Sequence, residues 1–324
     1  MEDIIKINSP ILSSRKYMVY VRTCTFNQSP FILDCLKSVA EQKTDFAYIH
    51  HVIDDCSTDG EQETIKCYLA RECDMKNSEY YENEIANIII VNYLHNLNCT
   101  VVAYFLKENY YKRQGVKRSM YRTLCEICSY VALCEGDDYW TDPLKLKKQV
   151  SFLEANKDYS LIGGNADVYK ANGEFLNKFS DRPSCNISID TIINSWSIPT
   201  ASLLYRSELE KEIPVIENAP QGDIIIQMTC ADKGMCKYDS DVCCVYRWLA
   251  PGSSTLQVRN NQLNYYQRHY EMWEALNEHF LYRYNYIIQV KLKETRRKML
   301  REKMCLKFKV LQKLRTLYRN YRGY

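Results

Sequence analysis

The apolar run Tyr130-Val131-Ala132-Leu133-Cys134 breaks directly into Glu135-Gly136-Asp137-Asp138-Tyr139-Trp140, and this junction narrows the choice of fold. A short run rich in β-branched and aromatic side chains reads as a buried strand. The three carboxylates at its end repel one another. They stay ionised together only where water, a cation or hydrogen-bond donors absorb the repulsion. In open α/β sheets, ligands sit just beyond the carboxyl ends of strands. A divalent metal held there by one or two carboxylates, with phosphate oxygens completing its shell, is a recurrent arrangement. The plainer reading is a solvated acidic turn before a helix, with Asp142 capping at Pro143.

The rest of the chain supplies the sheet that such a strand needs. Tyr17 to Val21 reads as a first strand running into Thr25-Phe26-Asn27, followed by a helix with Ile32, Leu33, Leu36 and Val39 on its apolar positions. A second strand, Tyr48 to Ile53, ends in Asp54-Asp55-Cys56-Ser57-Thr58-Asp59-Gly60 and a further helix, and a third strand is expected at Ile88 to Val91. Strand and helix alternating in this way predict a mostly parallel sheet with helices on its faces. Residues 92–116 lack clear periodicity and are expected to form a long connection near the ligand edge. A helix from Leu144 to Asn156 and strands at 161–168, 201–205 and 242–246 follow, with Gly222-Asp223 opening another helix. From about Asn260 the pattern is helical almost to the end.

The 324 residues suffice for one large or two ordinary domains. No run approaches the 18 or more apolar residues of a membrane-spanning helix, and the acidic start Met1-Glu2-Asp3 is not that of a signal peptide. Fifteen cysteines are scattered without the spacing of a disulfide framework, which points to a reducing cytoplasm. Cys125 and Cys128 form a Cys-x-x-Cys with no second pair to complete a zinc site, so a helix facing the sheet is expected there.

These motifs, in this order, resemble family 2 glycosyltransferases of the GT-A (Rossmann-like) fold over roughly residues 15–255. The resemblance rests on Thr25-Phe26-Asn27, on Asp54 to Gly60, on Glu135 to Trp140, on Gly222-Asp223 opening a helix and on Tyr246-Arg247. It implies a GT-A domain over 1–255 and a helical C-terminal region over 256–324. It also implies an inverting enzyme that moves a sugar from a nucleoside-diphosphate sugar, UDP-linked by expectation, to a saccharide or lipid-linked acceptor in surface polysaccharide synthesis. Asp55 then accepts a hydrogen bond from the nucleobase, Asp54 shapes the turn, and Thr25 and Asn27 touch the nucleoside. Asp137 ligates a divalent Mn²⁺ or Mg²⁺ ion, helped by Glu135 and Asp138, although the family has Asp where Glu135 stands. Arg247 and the 107–117 connection, with Lys107 and Lys117, are candidates for diphosphate contacts.

Asp223 is the implied general base that removes the acceptor's proton; its position also suits a helix N-cap. Tyr139, Trp140 and Trp248 are open to stacking on a nucleotide or sugar and equally to core packing. A nucleotidyltransferase and a non-catalytic binding relative remain as alternatives from other classes.

The charge is unevenly spread. Residues 291–324 hold 13 Lys and Arg against 2 Glu, a net +11, leaving 30 basic against 38 acidic side chains on the rest. Leu300, Met304, Phe308, Leu311, Leu314, Tyr318 and Tyr321 recur at helical spacing within that basic segment. A basic amphipathic helix suits an anionic membrane surface, here the inner face of the cell membrane. The competing readings are packing on the acidic body or pairing with a second copy. No nucleic-acid partner is expected, because the tail carries no recognised binding module.

Overall fold

The structure, a computed structural model, describes residues 9–111, 113–251, 253 and 261–322. After a one-turn helix, α1 (Pro10–Ser13), the chain forms β1 (Tyr17–Thr25), α2 (Ile32–Ala40), β2 (Ala47–Asp54) and α3 (Glu61–Glu72). It continues through β3 (Glu79–Glu82), β4 (Ala86–Asn92), β5 (Cys99–Leu106), α4 (Gln114–Glu126), β6 (Tyr130–Leu133), β7 (Tyr139–Trp140) and α5 (Lys145–Ala155). Next are β8 (Tyr159–Lys170), β9 (Phe175–Lys178), β10 (Cys185–Ile187), α6 (Ile189–Asn194), β11 (Leu204–Arg206), α7 (Gly222–Lys233) and β12 (Met235–Trp248). Two helices close the chain, α8 (Gln262–His279) and α9 (Asn285–Arg322).

The strands join in one sheet of order β10-β12-β8-β11-β6-β1-β2-β5-β4-β3, with β7 on β12 and β9 on β8. At its centre β6, β1, β2 and β5 run parallel, as the strand-helix alternation predicts. The flanks are largely antiparallel, although β8 and β12 run parallel to each other. In parallel strands covered on both faces, apolar runs are continuous rather than alternating. Thus Val19 and Val21 of β1 pack with Ile32, Leu36 and Val39 of α2 on one face, while Tyr20 packs on the other with Ile49, Leu124, Trp273 and Leu276.

One expectation fails here. Residues 92–116 are not a long connection: Cys99–Leu106 is a central strand, every residue of it buried, paired parallel to β2 from Tyr48↔Cys99 to Asp54↔Phe105. The run at Ile88 to Val91 forms a hairpin with it, antiparallel, with Ile88 opposite Tyr104. The polar turn between them is itself part of the fold, since the Asn96 amide donates to the carbonyls of Ala40 (2.7 Å) and Gln42 (3.0 Å). All fifteen cysteines are free; Cys125 on α4 and Cys128 just beyond it are buried against the sheet.

The expected domain boundary at 255 falls outside the described residues. On the near side of α9, Ile287, Ile288 and Leu292 join Met272, Trp273 and Leu276 of α8 in the core beneath the sheet. Beyond Thr295 the helix carries Leu300, Met304, Phe308, Leu311 and Leu314 exposed. The side chains of Tyr318 and Tyr321 lie outside the described residues.

Two histidines in β2 are wholly buried. His50 Nε2 lies 3.0 Å from the Thr23 hydroxyl, and His51 Nδ1 lies 2.8 Å from the Tyr20 hydroxyl. Neither pairing offsets a positive charge, so burial pushes His50 down to about 3 and His51 well below the ordinary range. Both rings are neutral in the fold, whereas the unfolded chain binds protons near pH 6.5. Stability from this source is therefore full above pH 6.5 and falls as the pH drops, by about 1.4 kcal/mol per unit for each ring. Urea midpoints measured from pH 7 to 5 are expected to fall less steeply for His50→Gln than for wild type. Equal slopes would mean that His50 is charged inside the fold.

Candidate functional site

The carboxyl ends of β1, β2 and β6 lie side by side, and their loops are stitched together. The Asp55 N–H donates to the Thr25 carbonyl (2.9 Å), and the Gly136 N–H donates to the Cys24 carbonyl (3.2 Å). A Cβ on Gly136 would stand 2.2 Å from the Thr25 hydroxyl, so only glycine permits this approach. Glu61, first residue of α3 and fully buried, gathers the loops. Its carboxylate accepts from the Thr25 hydroxyl, from the Gln28 N–H (2.9 Å) and from the Ser57 hydroxyl (2.8 Å).

Asn27, in the left-handed region at φ +54°, donates its N–H to Ser57 Oγ (2.9 Å) and accepts from the Thr58 N–H (2.7 Å). Asp54 accepts from the Ser57 N–H at 3.2 Å and the Gln62 amide at 2.5 Å. Both residues brace the turns.

Beyond these strand ends lies a cavity of about 810 Å³. Thr25, Asp55, Glu135, Asp137, Asp138 and Asp223 all line it; Asn27, Asp54 and Arg247 do not. At one side Asp55 accepts from the Tyr110 N–H (2.6 Å) and pairs with Lys117 (2.9 Å), both charged groups being buried. Lys107, by contrast, points outward to Glu82 (2.6 Å). Arg22 of β1 also reaches the cavity, stacked 4.4 Å over the Tyr121 ring and 3.3 Å from Glu210. No motif marks Arg22 or Glu61, the one signal for Arg22 being a lone charged residue directly after the apolar run Tyr17–Val21; Lys117 lies in the connection expected to contact a diphosphate.

The acidic motif is poor in compensating charge. Burial pushes Glu135 up to about 7, with Arg22 and Lys117 pulling it down and Asp137 pushing it further up. Burial likewise raises Asp137 to about 6, and it holds Asp138 well above the carboxylate range with help from the Asp137 charge. Added positive charge is what lets all three ionise together. Among the described residues no three His, Cys, Asp or Glu are grouped to cage an ion by themselves. The carboxylate oxygens of Glu135, Asp137 and Asp138 are donors of the kind that suit a hard cation such as Mn²⁺ or Mg²⁺.

Asp223 is the second residue of α7, whose N-cap position is Gln221, so Asp223 is not the cap. Its carboxylate accepts from the Thr200 hydroxyl (3.2 Å) and faces the cavity. Burial raises its pKa against the pull of the Ile224 N–H and Thr200. Trp196, Tyr246 and Trp248 line the same wall, Trp196 edge-on to Tyr246 with ring centroids 5.0 Å apart. Trp140 belongs to the core, its indole N–H donating to the Ala201 carbonyl (2.7 Å). Arg247 lies on the far side of the acidic motif, between the rings of Phe31 and Tyr139, and opens on a separate cleft of about 350 Å³.

Comparison with known proteins bears on this geometry. An uncharacterized protein of Mycobacterium tuberculosis is 31% identical over 188 residues, 57% of this chain and 45% of that protein. The chain thus spans less than half the length of the curated relatives it matches first. TuaG of Bacillus subtilis, assigned to teichuronic acid biosynthesis as a glycosyltransferase, is 24% identical over 72% of this chain and 79% of its own length. Staphylococcus aureus TarS (residues 1–349, in complex with UDP-GlcNAc) shares the GT-A fold with a TM-score of 0.54 at 16% identity, over 80% of this chain and 66% of that one. Residues 20–211 match the sequence profile described as Glycosyl transferase family 2, a span that holds Thr25, Asp55 and Asp137 and stops short of Asp223. That match covers more than half of the chain, and the protein belongs to glycosyltransferase family 2.

Proposed function

We propose that this family 2 glycosyltransferase is an inverting, metal-dependent enzyme that uses a UDP-sugar and transfers the sugar to a saccharide or lipid-linked saccharide acceptor in surface polysaccharide synthesis. One observation carries the reading: Asp55 with Lys117, Asp137, and Asp223 all face a single cavity. The buried Asp55–Lys117 pair offers an acceptor and a donor side by side, which suits the N–H and the neighbouring carbonyl of a uracil edge. TarS, which shares the fold, holds UDP-GlcNAc. TuaG, described as a teichuronic acid biosynthesis glycosyltransferase, supports polysaccharide synthesis as the setting. Family membership removes the nucleotidyltransferase alternative.

In this reading Asp137, with Asp138 and Glu135 beside it, would hold a Mn²⁺ or Mg²⁺ ion. When bound, the ion supplies positive charge where the leaving group becomes more negative. Asp223 accepts the proton of the acceptor hydroxyl as that oxygen bonds to the anomeric carbon. The bond from that carbon to the diphosphate oxygen breaks with its electron pair leaving on the nucleoside diphosphate. Attack from the face opposite the leaving group inverts the centre. Its raised pKa makes Asp223 a stronger base than an exposed aspartate.

A panel of nucleotide sugars with Mn²⁺, assayed for nucleoside diphosphate release, tests this reading. UDP release is expected from one donor class, with loss of activity in EDTA and in Asp137→Ala. Asp223→Asn is expected to lower turnover about 10²–10⁴-fold with donor binding little changed. Wild-type turnover in Asp223→Asn, or full activity in EDTA, would contradict it.

The proposal extends to location, a cytoplasmic enzyme held on the inner face of the membrane through the basic helix. No helix among the described residues is long and apolar enough to cross a membrane. The outer part of α9 instead combines exposed Leu300, Met304, Phe308, Leu311 and Leu314 with most of the tail's +11 charge. Each basic side chain near an anionic surface contributes about 1 kcal/mol. Because Leu292 is buried in the core, the informative truncation starts after Thr295. Full-length protein is expected to sediment with phosphatidylglycerol vesicles at low salt, and the truncated protein to stay in solution while still releasing nucleoside diphosphate. Equal sedimentation of the two would return α9 to the protein's own packing.

A further inference from the structure

We infer that Arg247 is a positioning residue of the transfer site, acting through the Asp137–Asp138 segment from outside the cavity rather than on the donor's diphosphate. The inference rests on the reading of Asp137 as a cation ligand. β12 runs beside β7, with Val245 opposite Tyr139 and Cys244 opposite Trp140. Side chains alternate along a strand. Tyr246 and Trp248 therefore face the cavity, and Arg247 faces the back of the acidic motif.

From there it touches three successive residues of that motif. Its Nη1 donates to the Asp137 carbonyl (2.7 Å), its backbone N–H donates to Asp138 Oδ1 (2.9 Å), and its guanidinium lies 4.7 Å from the Tyr139 ring centroid. Nη2 donates to the Asp34 carboxylate on α2, and the Phe31 ring covers the group at 5.0 Å. A single planar fork thus ties the acidic segment to α2.

The tie answers a physical need. Asp137 and Asp138 are adjacent, buried and mutually repelling, yet a cation ligand must be held to within fractions of an ångström. Asp34 is half exposed, and an ion pair to such a partner adds little stability by itself. Its geometry matters more, because a lysine ammonium cannot reproduce the planar fork that reaches the Asp137 carbonyl and the Asp34 carboxylate together. Partners that orient metal ligands commonly change metal affinity roughly 10–100-fold when removed.

The test uses the full-length protein with Mn²⁺ and UDP as probes, following free Mn²⁺ by electron paramagnetic resonance. Arg247→Lys is expected to weaken Mn²⁺ binding in the presence of UDP by roughly 10–100-fold and to lower kcat, with the thermal midpoint nearly unchanged. Asp34→Asn, a surface change remote from the cavity, is expected to shift Mn²⁺ affinity in the same direction by less, and to add nothing in the Arg247→Lys background. Unchanged Mn²⁺ affinity with a raised donor KM would overturn the inference in favour of direct diphosphate contact. A lowered thermal midpoint with unchanged Mn²⁺ affinity would overturn it in favour of a purely structural brace. Failure of the wild-type protein to bind Mn²⁺ with UDP would remove both the cation reading of Asp137 and the inference built on it.

Discussion

The buried carboxylate of Glu61 is the interaction on which the site depends. Among the described residues it has no basic partner; instead it accepts from Thr25, Gln28 and Ser57, one donor from the end of β1 and one from each of the loops after β1 and β2. Burial raises its pKa, and those donors oppose the rise. Each donor left without its acceptor at a buried position would cost about 1–3 kcal/mol, so the loops and the carboxylate hold one another in place. Gly136 then lets the third loop close onto Thr25, bringing Asp137 to the same edge as Asp55.

From that arrangement follows the uneven chemistry of the cavity. One side of it carries the Asp55–Lys117 pair, and Arg22 beside Tyr121 adds a second buried cation. A buried ion pair gives little net stability because desolvation offsets the attraction. Lys117 and Arg22 thus bring two buried positive charges to the cavity at little net gain in stability. The acidic motif is the opposite case: three carboxylates whose pKa values burial raises, so that added positive charge beside them would favour their ionised forms. A nucleotide diphosphate with a divalent cation matches both halves at once.

Much of this was legible in the sequence because the motifs end strands. Parallel strands that alternate with helices must place their carboxyl ends on one edge, so Thr25, Asp55 and Asp137 were bound to converge once Tyr17–Val21, Tyr48–Ile53 and Tyr130–Cys134 were read as strands. Cys99–Leu106 was missed because a strand buried on both faces shows no alternation, and its Asn-rich neighbours read as loop. Motif spacing also cannot tell which side of a strand a residue takes. Arg247 sits between two cavity-facing residues and for that reason faces away from the cavity, whereas Arg22 and Cys24, two apart on β1, both face it. Asn27 and Asp54 turned inward to satisfy backbone N–H groups of the tight turn, a demand that only the three-dimensional path of the chain reveals.

The central claim is that one cavity at the ends of β1, β2 and β6 binds a nucleoside diphosphate with a cation between it and the acidic motif. A crystal of the protein grown with UDP and Mn²⁺, measured for anomalous scattering, tests it most directly. The account predicts a manganese peak within coordination distance of the Asp137 carboxylate and the diphosphate, with the uracil edge against Asp55 and Lys117. Nucleotide density outside the cavity, or manganese bound away from Asp137, would contradict it.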